Sequence, residues 1–309
     1  MIKNKYPKTL KAGDTIGIIA PASAAKRKQT KLGIQYLEKR GYKIKTSKYL
    51  TKGKFYIAGD DSNRLKNLEK FLLDPKIDAI FCVRGGYGLL RILDKIDYNK
   101  LKSIPPKIII GYSDITALQM ALLKKLNWVT YSGPMVASEL GNNISHFSEK
   151  WMWDVLIKHN KSLELINPEN DNISIYRHGT AQGNLIGGCL SLMTPILNTQ
   201  YMPSLKDNIL IIEDIGEPVY RIDKLFQTLK LHNVFDDISG LIVGKLTDCF
   251  PKNSKKAFTL EDILDNTLGS YDFPVITNFA YGHIKQRFTL PVGCKIKMET
   301  DNKKITLIS

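Results

Sequence analysis

The 309-residue chain carries 45 Lys and Arg against 30 Asp and Glu, a formal charge of +15, with 43% hydrophobic and 24% charged residues. That apolar fraction excludes a chain disordered throughout, and the length allows one large domain or two ordinary ones with a substantial core. The lysines are spread along the whole sequence without a repeated aromatic partner, which reads against a nucleic-acid surface and leaves a positive field for small anionic substrates.

From Thr15 the segment TIGIIAPAS is a short apolar run closed by Pro and Ser, which predicts a strand ending in a turn. KLGIQYLEKRGYKI follows with a helical period and then a second strand. DSNRLKNLEKFLLD predicts a helix with Asp60, Asp61 or Ser62 as N-cap, and IDAIFCV a strand apolar enough to be buried on both faces. GLLRILDKI predicts the next helix, and KIIIG with DITALQMALLKKLN repeats strand and helix. This alternation predicts a doubly wound parallel sheet with right-handed crossovers, whose ligands collect at the carboxyl ends of the strands. Three turns stand at those ends: Ala20 to Ser23, Arg84 to Gly88, and Gly111 to Asp114.

Beyond about Gly141 the pattern changes. SEKWMWDVLIKHNKSLELINPENDN predicts an amphipathic helix running into a polar connector. Short strand-like runs follow in NILIIEDI, ISGLIVGKL and PVITNF, and a terminal hairpin has Asp301 and Asn302 in its turn. The expected division is an α/β domain over 1–165 and a strand-rich domain over 166–309. The N-terminus has no continuous apolar stretch before its first strand, and no run of 18 apolar residues occurs, so the chain reads as soluble and cytoplasmic, without a membrane partner. Cys82, Cys189, Cys249 and Cys294 are scattered singly, with no C-x-x-C and no nearby His pair; they read as buried thiols, and neither a disulfide nor a metal is indicated.

Ser113 stands where a strand ending in Gly-x-Ser meets a helix. A hydroxyl on such a turn can attack a carbonyl while neighbouring backbone N–H groups hold the oxyanion, although serine is also a common helix cap. The elbow G-x-S-x-G is incomplete, since Ile115 fills its last position. A nucleophilic serine needs a base. His146, His159, His178 and His232 sit in or near polar or charged stretches and read as surface or packing residues, whereas His283 follows an apolar strand that ends in Gly. Glu213, at the end of a buried-type strand, is the first candidate to orient it, with Asp214 and Glu217 as alternatives and an ion pair with Arg221 or a lysine as the structural reading of each. The glycine turn VRGGYGLLRIL fits a dinucleotide site poorly, because Arg91 stands where a third glycine belongs. Gly85 and Gly86 would instead let backbone N–H groups approach a reacting oxygen beside Ser113.

Taken in order, IGIIAPAS, VRGGYG, IIGYSDITAL, SGPM, GNLIGGCLSLM, IIEDIGEPVYRIDKLF and YGHIKQRFTLPVG resemble the LD-carboxypeptidase family, which includes muramoyltetrapeptide carboxypeptidases and microcin C immunity peptidases. The resemblance implies a flavodoxin-like N-terminal domain, a β-rich, swivelling β-barrel-like C-terminal domain, and usually a homodimer. It implies Ser113 as nucleophile, His283 as general base and acid, Glu213 as the residue orienting the histidine, and the N–H groups of Gly86 and Asp114 as the oxyanion hole. No cofactor is implied. The substrate would be a murein tetrapeptide losing its terminal D-Ala, with Arg84, Gly85 and Ser132 near it; Ser132 stands where relatives often have histidine. The short connection between the domains lacks room for the extended specificity loops of the microcin-type members. Other readings are an immunity peptidase cleaving a peptidyl-nucleotide amide and a non-catalytic module binding muropeptide or nucleic acid.

Overall fold

The computed structural model describes residues 3–158, 162–251 and 258–308, and within them the chain forms two compact units. The first runs to the end of helix His146–Ile157 and takes back the segment Phe288–Gly293; the second holds the remainder. The change of unit thus precedes Ser162–Glu164, a strand that the expected boundary at 165/166 leaves with the first domain.

The first unit is built on strands β1 (Thr15–Ile19), β2 (Lys43–Thr46), the small hairpin β3 (Gly53–Lys54) and β4 (Ile57–Ala58), β5 (Ala79–Cys82), β6 (Ile108–Gly111) and β7 (Thr130–Ser132). Helices α1 (Arg27–Lys39), α2 (Asp61–Leu73), α3 (Tyr98–Lys102), α4 (Ile115–Leu126) and α5 (His146–Ile157) accompany them. Five of the six strands of the main sheet run β2-β1-β5-β6-β7, each pair of them parallel. Counting only these strands, the order is 2-1-3-4-5, the flavodoxin-like winding, whose direction switches between β1 and β5. The carboxyl ends of those two strands lead into the Ala20 to Ser23 and Arg84 to Gly88 turns. β5 and β6 are buried along their whole length, as strands covered on both faces must be.

Asp60 is the N-cap of α2, its carboxylate accepting the Asn63 N–H at 2.8 Å. The helix expected over GLLRILDKI is replaced by two 3₁₀ turns, Leu89–Arg91 and Leu93–Lys95. Ile92 between them has φ −123°, outside helical geometry, and the Asp97 carboxylate then caps α3 through the Lys100 N–H.

In the second unit, strands β8 (Ser162–Glu164), β9 (Ser174–Arg177), β10 (Thr180–Cys189), β11 (Ile209–Ile215), β12 (Gly240–Thr247), β13 (Val275–Thr277), β15 (Lys295–Glu299) and β16 (Lys304–Ile308) form one eight-stranded sheet. The intervening β14 (Leu290–Val292) pairs antiparallel with β7 and so belongs to the first unit. The order β8-β16-β15-β10-β11-β12-β13-β9 joins a parallel block, β10 to β13, to antiparallel flanks. Among the described strands β8 and β9 are its two ends, an open order where a barrel-like one was expected. The terminal hairpin is β15–β16, with Asp301 and Asn302 in its turn. The short helices α6 (Leu190–Met193) and α8 (Val234–Asp237) and the longer α7 (Val219–Leu231) and α9 (Leu260–Leu268) complete the unit. Among the described residues no helix is long and apolar enough to cross a membrane.

Helix α1 lies unusually close to the segment after β7. A Cβ placed on Gly33 would stand 2.0 Å from the Val136 carbonyl oxygen, and one on Gly141 2.1 Å from the Gln29 carbonyl oxygen. Helix propensity alone would make Gly33→Ala stabilising by about 1 kcal/mol. The backbone contact outweighs it, so G33A should destabilise the protein by ~1–3 kcal/mol in urea unfolding; a variant at least as stable as the parent would show that α1 can move away freely.

Candidate active site

Strand β6 ends at Gly111, and Tyr112, Ser113 and Asp114 turn the chain into α4. Ser113 has φ +62°, left-handed backbone that costs a residue bearing a Cβ ~1–2 kcal/mol. The surroundings hold it there. The Thr116 N–H donates to the Ser113 carbonyl at 2.9 Å, and the Tyr112 hydroxyl donates to Glu139 at 2.6 Å. The buried Gln119 amide donates to the Gly111 and Tyr131 carbonyls at 3.0 and 2.8 Å, tying the ends of β6 and β7 together. Sequence reasoning missed Gln119; its signal was a fully polar side chain inside an otherwise apolar helical run.

The glycine turn packs directly on this elbow. A Cβ on Gly85 would lie 2.8 Å from Ser113 Cβ and 3.1 Å from its Oγ, so a side chain there would displace the hydroxyl. Ser23, from the turn after β1, braces the loop: its N–H donates to the Gly85 carbonyl at 3.2 Å, and its Oγ accepts the Tyr87 N–H at 3.2 Å while donating to the Tyr56 carbonyl at 2.5 Å. The three turns that the strand pattern places at the carboxyl edge therefore meet. Among the described residues no acceptor is found for the N–H of Gly86 or of Asp114. Gly86 and Arg84 are exposed, and the Arg84 guanidinium reaches the Ala24 carbonyl at 3.5 Å. Ser132 stands in β7, wholly buried, with Gly111 and Leu290 as its strand neighbours.

In the second unit His283 and Glu213 come together, with Nδ1 of the histidine 2.7 Å from Oε2 of the carboxylate. Glu213 is 1% exposed and sits where the β11–β12 register shifts, a bulge that re-aims a side chain. Gly282, at φ +128°, lets the chain pass this carboxylate, since a Cβ there would lie 2.9 Å from Glu213 Oε2. A carboxylate facing Nδ1 fixes the proton on that nitrogen and puts the imidazole lone pair on Nε2. The two alternative carboxylates are engaged elsewhere. Asp214 accepts the Ser191 N–H at 2.7 Å and the Ile215 N–H at 2.9 Å, and Glu217 pairs with Arg221 at 2.9 Å. Of the other histidines, His178 pairs with Asp301, His232 meets Asn198, His146 begins α5, and His159 lies outside the described residues.

Asp114 is wholly buried, and desolvation pushes its carboxyl up to about 7, opposed by the Leu89 N–H and the Arg64 charge. All four cysteines are buried, and burial raises each thiol, Cys249 to about 11, so none has the thiolate character of a nucleophile. Among the described residues no cluster of His, Cys, Asp and Glu could hold a metal ion.

The LD-carboxypeptidase N-terminal domain matches residues 16–133, and the LD-carboxypeptidase C-terminal domain matches residues 182–298. A probable murein peptide carboxypeptidase of Bacillus subtilis is 34% identical over 97% of this chain and 93% of its own. The microcin C7 self-immunity protein MccF of Escherichia coli is 31% identical over 96% and 94%. A solved structure of MccF in complex with aspartyl sulfamoyl adenosine superposes with a TM-score of 0.90 at 28% identity, covering 98% of both chains. The chain belongs to the LD-carboxypeptidase family, and its activity is hydrolysis of the LD-carboxypeptidase type.

The raised Asp114 carboxyl has a consequence for stability. The folded state binds its proton up to about pH 7 while the unfolded chain releases it near pH 4, so the stability it contributes is complete below about pH 4 and is lost as pH rises to about 7. Asp114→Asn removes this dependence. Compared by urea unfolding at pH 5 and pH 8, the variant should gain on the parent at the higher pH, and an equal difference at both pH values would exclude the shift.

Proposed function

We propose that the protein is a serine carboxypeptidase that cleaves the L,D-peptide bond releasing the terminal D-Ala of murein tetrapeptides, in peptidoglycan recycling. Ser113 Oγ attacks the carbonyl carbon of that bond as His283 Nε2 takes its proton. The N–H groups of Gly86 and Asp114 receive the oxyanion. Collapse expels D-Ala, whose amine takes the proton back from His283, and leaves an acyl ester on Ser113 that water hydrolyses with His283 again as base. Glu213 holds the imidazole in its working tautomer and stabilises the imidazolium.

The observation that carries the reading is the strained backbone of Ser113. A helix cap needs only an extended φ, whereas a left-handed serine packed on a glycine turn is the arrangement that presents a nucleophile. Arg84, exposed beside Gly85, is suited to a substrate carboxylate. The family resemblance supports a homodimer, and a cytoplasmic location fits a recycling role.

A second reading, cleavage of the amide in a peptidyl-nucleotide antibiotic, is favoured by the likeness to MccF over nearly the whole chain. Release of D-Ala from a defined tetrapeptide and of the nucleotide from an aminoacyl-adenylate analogue, followed by mass spectrometry, separates the two. On the preferred substrate Ser113→Ala should lower kcat on the order of 10⁴ to 10⁶-fold with the fold intact. Turnover close to the parent rate in that variant would refute the assignment.

A further inference from the structure

Asp114 begins α4 in the N-cap position, yet its carboxylate makes no capping bond to its own helix. It turns instead toward the glycine loop, and Oδ2 accepts the Leu89 N–H at 2.9 Å, while Oδ1 is buried without a hydrogen-bond partner. The other end of the same peptide unit is held as well. Arg64 Nη1, on a side chain 1% exposed, donates to the Gly88 carbonyl at 2.7 Å and to the Pro21 carbonyl at 2.8 Å. Gly88 has φ +140°, and a Cβ there would lie 2.4 Å from Arg64 Nη1, so only glycine admits the guanidinium. A single peptide, Gly88–Leu89, therefore has a buried cation on its oxygen and a buried carboxyl group on its nitrogen. Arg64 is in turn paired with Asp61, which also takes the Arg91 Nε–H at 2.9 Å.

Burying a guanidinium and a carboxyl group to orient one loop peptide is costly, and a core needing only packing would use apolar side chains. The peptide so fixed lies two residues beyond Gly86 and follows a turn that abuts Ser113. We propose that Asp114 and Arg64 are positioning residues for acyl transfer: by clamping the Gly88–Leu89 peptide they hold the Gly86 N–H in register with the elbow that presents Ser113. Asp114 thus serves both donors of the oxyanion hole, one through its own N–H and the other through its side chain. The inference rests on the reading of Gly86 and Asp114 as that hole.

An oxyanion hole acts on the transition state and not on ground-state binding. The test uses the full-length protein with D114N, D114A, R64K and R64M, each checked by thermal melting. An acylating fluorophosphonate probe titrates the competent Ser113, so that kcat is expressed per active serine. In D114A and R64M that kcat should fall by about 10² or more, the loss typical of a misplaced oxyanion donor, with KM within about threefold of the parent. D114N keeps an oxygen for the Leu89 N–H and R64K a cation for the Gly88 carbonyl, so each should recover part of the loss; they carry the test if the harsher variants do not fold. A purely structural role predicts fewer titratable serines with unchanged kcat per serine, and that result, or a loss confined to KM, overturns the clamp. If Ser113→Ala is inactive while the clamp variants turn over at the parent rate, the clamp alone fails; if Ser113→Ala remains active, the underlying reading fails with it.

Discussion

The constraint on which the first unit depends is a serine forced into the left-handed region between a buried strand and a helix. Every nearby feature that is unusual for a plain α/β scaffold bears on it. Gly85 has no side chain, so the neighbouring turn can lie against the hydroxyl. Gln119 spends a buried amide on the carbonyls at the strand ends, and Ser23 joins the turn after β1 to the turn after β5. These interactions offset local strain of ~1–2 kcal/mol and keep one rotamer-bearing side chain in a fixed place. The location follows from topology, because the β1/β5 switch point is where an open sheet leaves a crevice.

The second unit solves a different problem, which is how to bury an acidic side chain with a partner. Glu213 is almost wholly buried, and the histidine nitrogen supplies its partner. The bulge in β11 separates it from Asp214, whose oxygens are occupied by the α6 N-terminus. Two adjacent acids therefore have different partners, imidazole for Glu213 and backbone N–H groups for Asp214.

Much of the fold could be read from periodicity. AIFCV and the three isoleucines of KIIIG are uninterrupted apolar runs of the kind a doubly covered strand shows, and the alternation of strand and helix leads directly to the parallel sheet. Long-range pairing was less legible. β10 contains Gly183, Gly187 and Gly188, which weaken a strand signal, and a Cβ on Gly187 would lie 1.9 Å from the Ile211 carbonyl oxygen, a backbone approach invisible in one dimension. The return of Leu290–Val292 to pair with β7 has no local signature, and the helix expected after Gly88 was divided by Ile92. In the candidate site, residue types and strand ends drew attention to Ser113, Glu213 and His283, with Glu213 ahead of Asp214 and Glu217; the β11 bulge that separates Glu213 from Asp214 has no signature in the sequence. Arg64 was hidden in a charged helix, where a buried guanidinium and a solvated one look alike.

The central claim is that Ser113 carries the acyl group. Rapid-quench incubation with a murein tetrapeptide followed by peptide mass mapping measures it directly. The account predicts a transient adduct of the tetrapeptide less D-Ala on the peptide containing Ser113, formed before free D-Ala accumulates at the steady rate. An adduct on another residue, or full D-Ala release after Ser113 has been blocked, would contradict it.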